Sequence, residues 1–288
     1  MISKKKVFIS ILCGGLIAGL IFIAPSLIDL VDLMRAKKAC RENRTSECVN
    51  FYEEVKKKDP NFGFVRWRLA NAYKQNGQFK EAEQEYLWVI KKYPKHKPAY
   101  HNLGITYQEL KNFTKALTAY QKAIDLKPDA WDSWFGEGAV LLYLKKYEEG
   151  VKALKKSIEL NPDYEIAYNL LCPNLNEMKK YEEVLSYTQK YLSRNKAKSS
   201  FLFQTAVLSA EMLKKEAVAM SYRKAGLDAF PKDYFLNWDL ALEEVKTNPE
   251  DARKRLEYLK TVDKTKLNDV ERYLDLEMIE RGLSNPKQ

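Results

Sequence analysis

Hydrophobic and polar positions follow a helical period along most of the chain. In residues 97–130, two apolar faces succeed one another, and the members of each face stand three or four residues apart. The first face consists of Tyr100, Leu103, Gly104 and Tyr107, and the second of Ala116, Tyr120 and Ala123. Such spacing places side chains on one side of a helix. The pattern therefore predicts two short amphipathic helices that pack as an antiparallel pair.

Three prolines recur at a fixed interval within this pattern. Pro94, Pro128 and Pro162 are 34 residues apart. The same residue type falls at the same place before Pro94 and before Pro128 in four cases: Leu69 and Leu103, Tyr73 and Tyr107, Ala82 and Ala116, Tyr86 and Tyr120. A proline stops each second helix. We therefore expect a row of stacked helical hairpins, because a single hairpin cannot bury its apolar face alone.

One of these units resembles a tetratricopeptide repeat. The segment is AYHNLGITYQELKNFTKALTAYQKAIDLKP, and the residues on the family's pattern are Tyr100, Leu103, Gly104, Tyr107, Ala116, Tyr120, Ala123 and Pro128. The resemblance implies an all-α fold, a right-handed superhelical solenoid of tetratricopeptide repeats. We expect one transmembrane helix to precede it, for the reasons given below.

The period divides the chain into units. Repeats are expected at 63–96, 97–130 and 131–164, followed by a degenerate repeat at 165–196. Counting back 34 residues from Pro94 reaches Pro60, so residues 29–62 are interpreted as a degenerate capping repeat. Residues 197–288 are interpreted as one more hairpin of this kind with capping helices.

The amino-terminal region has the pattern of a membrane segment. Residues 1–6 form a short basic tail, and the next 18 residues carry no charge, which is long enough to cross a bilayer. We interpret residues 7–28 as an uncleaved transmembrane signal anchor; a cleaved signal peptide is the alternative, and Ala24 followed by Pro25 is a poor cleavage site. Gly15 and Gly19 form a small-xxx-small pair, which is compatible with a homo-oligomer through this segment.

The charges beside the span give the orientation. Three lysines abut its amino end, which favours a cytoplasmic N-terminus and an extracytoplasmic repeat domain, periplasmic in a bacterium. Five basic residues within the next twenty favour the reverse, so a cytoplasm-facing domain stays open: Arg35, Lys37, Lys38, Arg41 and Arg44. The net charge of +10 does not indicate a nucleic-acid partner, because lysines are spread over every unit among 39 acidic residues, as on solvated helix faces.

The sequence offers few residues for chemistry. His96 and His101 have no cysteine or acidic cluster beside them, so we expect no metal site, and the absence of phosphate-loop and hydrolase motifs predicts no cofactor and no enzymatic activity. Cys172 is interpreted as a buried structural residue. Cys40 and Cys48 flank the turn of the first hairpin, where a disulfide and two packed small side chains are equally compatible.

The resemblance also implies a binding surface. In tetratricopeptide repeats the first helices line a concave groove through positions 2, 5, 9, 12 and 13 of each unit. Those positions give a peptide-binding groove of Phe64, Trp67, Asn71, Lys74, His101, Ile105, Gln108, Phe135, Leu142 and Tyr143. The alternative for Trp67 is a packing aromatic. The family's clamp for a chaperone tail is disfavoured, because Trp67, Asp132 and Gly136 stand where its cations would be.

These observations favour a membrane-anchored scaffold that binds segments of partner proteins in the groove, in an envelope or membrane-associated assembly. The first alternative is a cytoplasm-facing membrane receptor or co-chaperone that docks client proteins. The second is a subunit of an enzyme whose chemistry lies in the carboxy-terminal helices.

Overall fold

The computed structural model describes residues 27–262 except Asn195, and these residues fold into fourteen α-helices. The helices are α1 (Leu27–Arg41), α2 (Thr45–Lys58), α3 (Gly63–Gln75), α4 (Phe79–Lys92), α5 (Lys97–Glu109), α6 (Phe113–Leu126), α7 (Trp131–Tyr143), α8 (Tyr147–Leu160), α9 (Glu165–Glu177), α10 (Tyr181–Leu192), α11 (Phe201–Met212), α12 (Glu216–Ala229), α13 (Tyr234–Thr247) and α14 (Pro249–Val262).

Consecutive helices pair into seven hairpins, from α1 with α2 to α13 with α14, and each hairpin packs on the next. The odd-numbered helix of each pair is called its first helix. First helices of neighbouring hairpins also contact one another: α3 with α5, α5 with α7, and α9 with α11. Successive second helices in this described region approach less closely. The row of hairpins therefore curves with its first helices on the inner, concave side.

The turn inside each hairpin has a recurring backbone feature. One residue in six of the seven turns has a left-handed conformation, with φ between 57° and 76°: Asn43, Gly77, Lys111, Lys145, Lys179 and Lys214. They are 34 residues apart, and 35 in the last step. Such a residue lets the following N–H groups bond back to the last helical carbonyls, as Asn112 N–H does to Tyr107 C=O at 2.8 Å. The reversal is thus built the same way in successive units.

The junction between hairpins has a recurring hydrogen bond. The carbonyl of the closing proline accepts a hydrogen bond from the side chain six residues later, in the first turn of the next first helix. The pairs are Arg66 with Pro60 at 2.6 Å, Trp134 with Pro128 at 2.9 Å, Tyr168 with Pro162 at 3.0 Å and Asn237 with Pro231 at 2.9 Å. Four different types of side chain thus bond to the equivalent carbonyl in four junctions, and each bond fixes a first helix against the preceding hairpin.

Tyr120 shows how small residues bring the helices together. Its ring is 1% exposed and lies between Gly104 of α5 and Gly136 of α7. A Cβ atom on Gly104 would lie 2.7 Å from the ring, and one on Gly136 would lie 2.4 Å from it, so neither position has room for a side chain. The two glycines therefore hold the second and third repeats against one buried ring.

Cys40 and Cys48 form a disulfide across the turn between α1 and α2, with their Cα atoms 5.0 Å apart. Cys48 is fully buried in a cluster with Ala36, Ala39 and Leu69, which joins the first hairpin to α3. Of the two alternatives that the sequence left open, the structure has the bond.

The predicted anchor, residues 7–28, lies outside the described residues apart from its last two, as do Gly15 and Gly19 and the tail 263–288. Between residues 27 and 262, no helix is both long enough and apolar enough to span a bilayer. The transmembrane segment stays a prediction.

Candidate peptide-binding groove

Nine of the ten residues predicted for the groove have side chains open to solvent at least in part. Phe64 is 48% exposed and Tyr143 is 65% exposed. The half-buried members are Trp67, Asn71, Lys74, His101, Ile105, Gln108 and Phe135. They lie on α3, α5 and α7, of which α5 contacts both of the others. The structure therefore brings these nine residues onto neighbouring first helices.

Leu142 is the exception, because it is only 8% exposed and belongs to the core between α7, α8 and α9. Its side chain fills the space left by Gly150 of α8, where a Cβ atom would lie 2.8 Å from Leu142 Cδ2. The position that faces the groove in another repeat is thus directed into the core here. The prediction that Leu142 lines the groove is corrected.

Three of the aromatic and aliphatic groove residues also support the fold. Trp67 and Ile105 pack partly against the core that contains Tyr86 and Tyr120. Phe135 packs against the next core, with its ring edge-on to Tyr164 at 5.1 Å between centroids. Both interpretations of Trp67 therefore apply, because part of its ring packs and part stays open. Phe64 and Tyr143 are the better probes of ligand contact.

A chain of polar groups crosses from α3 to α5 along the groove. Tyr86 OH donates a hydrogen bond to Asn71 Oδ1 at 2.6 Å, and Asn102 Nδ2 donates to the same oxygen at 2.8 Å. Lys74 Nζ donates to Asn102 Oδ1 at 3.0 Å. Burial lowers the pKa of Lys74. These bonds orient both amides, so the two asparagines act together as a rigid polar strip.

His101 is held in a second polar cluster between α5 and α7. Its Nδ1 lies 3.0 Å from Ser133 Oγ, and its Nε2 lies 3.7 Å from Asp132, which also accepts a hydrogen bond from Lys97 Nζ at 2.8 Å. Burial lowers the pKa of His101 to about 4; the charge of Asp132 opposes this, and the charges of Lys97 and Lys74 reinforce it. The imidazole is therefore neutral at physiological pH.

Asp132 is the charged member of this cluster. Burial acts to raise its pKa, but the hydrogen bond and charge of Lys97, with the other groups beside it, bring it below the usual value. Ser133 is fully buried, so this serine, histidine and aspartate cannot meet a substrate as a catalytic group would. In the part of the chain that the structure describes, no three acidic, histidine or cysteine side chains converge as a metal site.

Exposed apolar side chains continue on the first helices beyond α7. Five more large apolar side chains on α9, α11 and α13 are between 41% and 54% exposed: Ile166, Phe201, Leu208, Met212 and Phe235. Counting back thirteen residues from the left-handed turn residue reaches the second residue of α3 and of α9 and the first residue of α11. The count gives Phe64 from Gly77, Ile166 from Lys179 and Phe201 from Lys214. The prolines lose their interval after Pro162, so they do not mark the later repeats. The turn positions continue beyond it and could have located the missed residues.

Sequence comparison identifies the repeats. Three models of the tetratricopeptide repeat match residues 65–96, 98–130 and 131–164. These residues are tetratricopeptide repeats, and the described part of the chain is an all-helical solenoid built on them. No curated protein matches the chain.

Solved structures show the same fold. The C-terminal part of a TPR repeat-containing protein from Cytophaga hutchinsonii aligns with a TM-score of 0.68 and 16% identity, over 80% of this chain and 95% of that chain. PilF of Pseudomonas aeruginosa gives 0.58 and 16%, over 71% and 93%. YrrB, a TPR protein with an unusual peptide-binding site, gives 0.53 and 17%, over 64% and 94%. Identities of this size show a shared fold alone.

Proposed function

We propose that this protein is a scaffold that binds segments of partner proteins along its first helices, from α3 to α13. One observation carries the proposal: large apolar side chains stay exposed at the same position of three first helices, α3, α9 and α13. Phe64, Ile166 and Phe235 are each the second residue of their helix, and each is more than 40% exposed. Exposed apolar side chains that recur on one face are typical of a protein-binding surface.

The alternative of an enzyme has less support among the described residues. The best candidate nucleophile, Cys172, is fully buried, and burial raises its pKa to about 12, so the reactive thiolate does not form at neutral pH. The repeats themselves support a role in protein interaction. YrrB, which shares the fold, has a peptide-binding site.

We propose further that residues 7–28 anchor the scaffold in a membrane, with the N-terminus cytoplasmic and the repeats on the extracytoplasmic side. The disulfide between Cys40 and Cys48 supports this orientation, because such bonds persist in oxidising compartments and are rare in the cytosol. Extraction of native membranes with alkali tests the anchor. The full chain should stay in the pellet, and its release as a soluble chain that begins near Pro25 would contradict the proposal.

The binding surface is tested with Phe64→Ala and Tyr143→Ala, which remove exposed rings. We expect each to weaken capture of the native partner by about 2 kcal/mol, because aromatic anchors dominate binding energy. The melting temperature should change little. Leu103→Ala is the contrast: Leu103 is buried, so its loss should cost about 2 to 5 kcal/mol of folding stability.

Leu87→Ala is the matched control, because Leu87 is an exposed apolar residue on the second helix α4, away from the concave side. It should change neither capture nor melting. If Phe64→Ala and Tyr143→Ala capture the partner as well as Leu87→Ala does, the groove is not the binding surface.

A further inference from the structure

The first helices of the carboxy-terminal half carry a charge opposite to that of the whole chain. Helices α9 and α11 contain three acidic residues and no Lys or Arg. Helix α13 contains three acidic residues against Lys246. The whole chain has a net charge of +10. By contrast, α3 at the other end of the groove contains Arg66, Arg68 and Lys74 and no acidic residue. The net charge of the first helices therefore changes from basic to acidic along the row, with Glu165 buried and Arg66 paired with Glu85 of α4.

The acidic first helices also carry the exposed apolar side chains beyond α7. Phe201, Leu208 and Met212 of α11 are exposed, and so is Phe235 of α13. Glu211 stands beside Met212 with 45% of its side chain exposed. Apolar and acidic side chains thus share one stretch of the concave side. We call this stretch the acidic lining and define it as Phe201, Leu208, Glu211, Met212, Phe235 and Asp239.

A buried arginine lies under the acidic lining. Arg223 of α12 is 2% exposed and stands where the earlier repeats have Tyr86 and Tyr120. Its Nη2 donates to Glu211 Oε1 at 2.5 Å. The charge of Arg223 also reaches Asp239. One guanidinium therefore serves two carboxylates and leaves the lining with a negative charge.

The titration of these carboxylates agrees with an excess of negative charge. Burial raises the pKa of Glu211; Arg223 opposes the shift, and the charges of Asp239 and Glu243 add to it. Burial likewise raises the pKa of Asp239, again against the charge of Arg223. A cation placed above Glu211 and Asp239 would relieve this repulsion.

We propose that the acidic lining binds a basic amphipathic segment of a partner protein, with its apolar side chains on the exposed residues of α11 and α13 and its Lys or Arg residues against Glu211 and Asp239. The proposal rests on the proposed scaffold function and names the chemistry of its ligand. Charge complementarity selects this occupant, because an acidic segment would meet repulsion and a purely apolar one would leave the excess negative charge of the two carboxylates unbalanced.

The test is selection of random 16-residue peptides displayed on phage against the immobilised full chain. Non-specific attraction to a protein of net charge +10 favours acidic peptides. The acidic lining predicts the opposite, that the enriched sequences combine Lys or Arg with apolar residues at helical spacing. Enrichment of acidic or neutral sequences, or of no basic sequence, overturns the inference.

Matched variants then locate the bound peptides. A double variant with Glu211→Gln and Asp239→Asn should lower their affinity about tenfold, since each removes one charge pair at a partly exposed site. The control is Glu216→Gln with Asp228→Asn, which removes the same two charges from exposed positions of α12. Equal affinity for the two double variants overturns the inference.

The proposed function and this inference fail in different ways. If Phe64→Ala weakens capture of the native partner but the selected peptides are not basic, the scaffold function stands and the acidic lining does not. If no groove variant weakens capture, the scaffold function itself fails.

Discussion

The neutral, buried His101 makes the stability of the second and third repeats depend on pH. The pKa of this imidazole is about 4 in the folded protein against 6.5 for an unperturbed histidine. Between these values the unfolded chain binds a proton that the folded chain does not. The stability contributed by His101 is therefore complete above pH 6.5 and is lost as the pH falls towards 4.

The size of the effect follows from the two pKa values. Between pH 7 and pH 5 the unfolded histidine becomes almost fully protonated, whereas the folded one stays mostly neutral. The linked loss in the free energy of unfolding is about 2 kcal/mol. The lowered pKa of Asp132 keeps this carboxylate charged over the range, so its contact with the ring is otherwise unchanged.

The measurement is urea unfolding at pH 7 and pH 5 for the native chain and for His101→Gln, which cannot titrate. Between pH 7 and pH 5, the free energy of unfolding of the variant should fall by about 2 kcal/mol less than that of the native chain. Comparing the two proteins cancels the titration of all other groups. His96→Gln serves as the control and should keep most of the native slope, because His96 is less buried than His101. If His101→Gln and the native chain lose the same free energy of unfolding between the two pH values, the claim that His101 is neutral in the folded protein is wrong.

Two further predictions concern the turns of the hairpins. Cys48→Ser should lower the free energy of unfolding by about 2 to 3 kcal/mol, because it opens the short loop that the disulfide closes. A melt with and without reductant measures this loss. Free labelling of both thiols in protein from native membranes would contradict the exported orientation. Lys145→Gly should raise stability by about 0.5 to 1 kcal/mol, because a left-handed residue with a side chain is strained, whereas Lys152→Gly inside α8 should lower it by about 1 kcal/mol. Equal effects of the two glycines in thermal melts would contradict the strain at Lys145.

The sequence predicts the hairpins well where residue identity repeats. Tyr86 and Tyr120 stand at one phase and both are buried, as the period indicates. At the same phase the later unit has Arg223, whose burial depends on Glu211 of the neighbouring helix. A pattern of residue types cannot show that substitution, because the partner that makes it tolerable lies on another element.

Groove residues could be predicted from the sequence only where their exposure depends on their own helix and not on a neighbouring one. Phe64 and Tyr143 stay largely exposed on α3 and α7, although the ring of Phe113 packs against that of Tyr143 at 4.2 Å between centroids. Leu142 is one residue from Tyr143 and yet buried, because Gly150 of α8 leaves it a space. The residues on α11 were missed because the prolines that mark the repeats lose their 34-residue interval after Pro162.

The most direct test of the account is photo-crosslinking in native membranes, with a photoreactive residue placed at one position at a time. The first-helix positions are Phe64, Tyr143, Ile166 and Met212; the second-helix controls are Leu87 and Lys224, which are also exposed. The first-helix positions should form adducts with partner proteins, and the controls should not. Adducts of equal yield at Leu87 and Lys224, or none at the four first-helix positions, would contradict the claim that the first helices bind the partner.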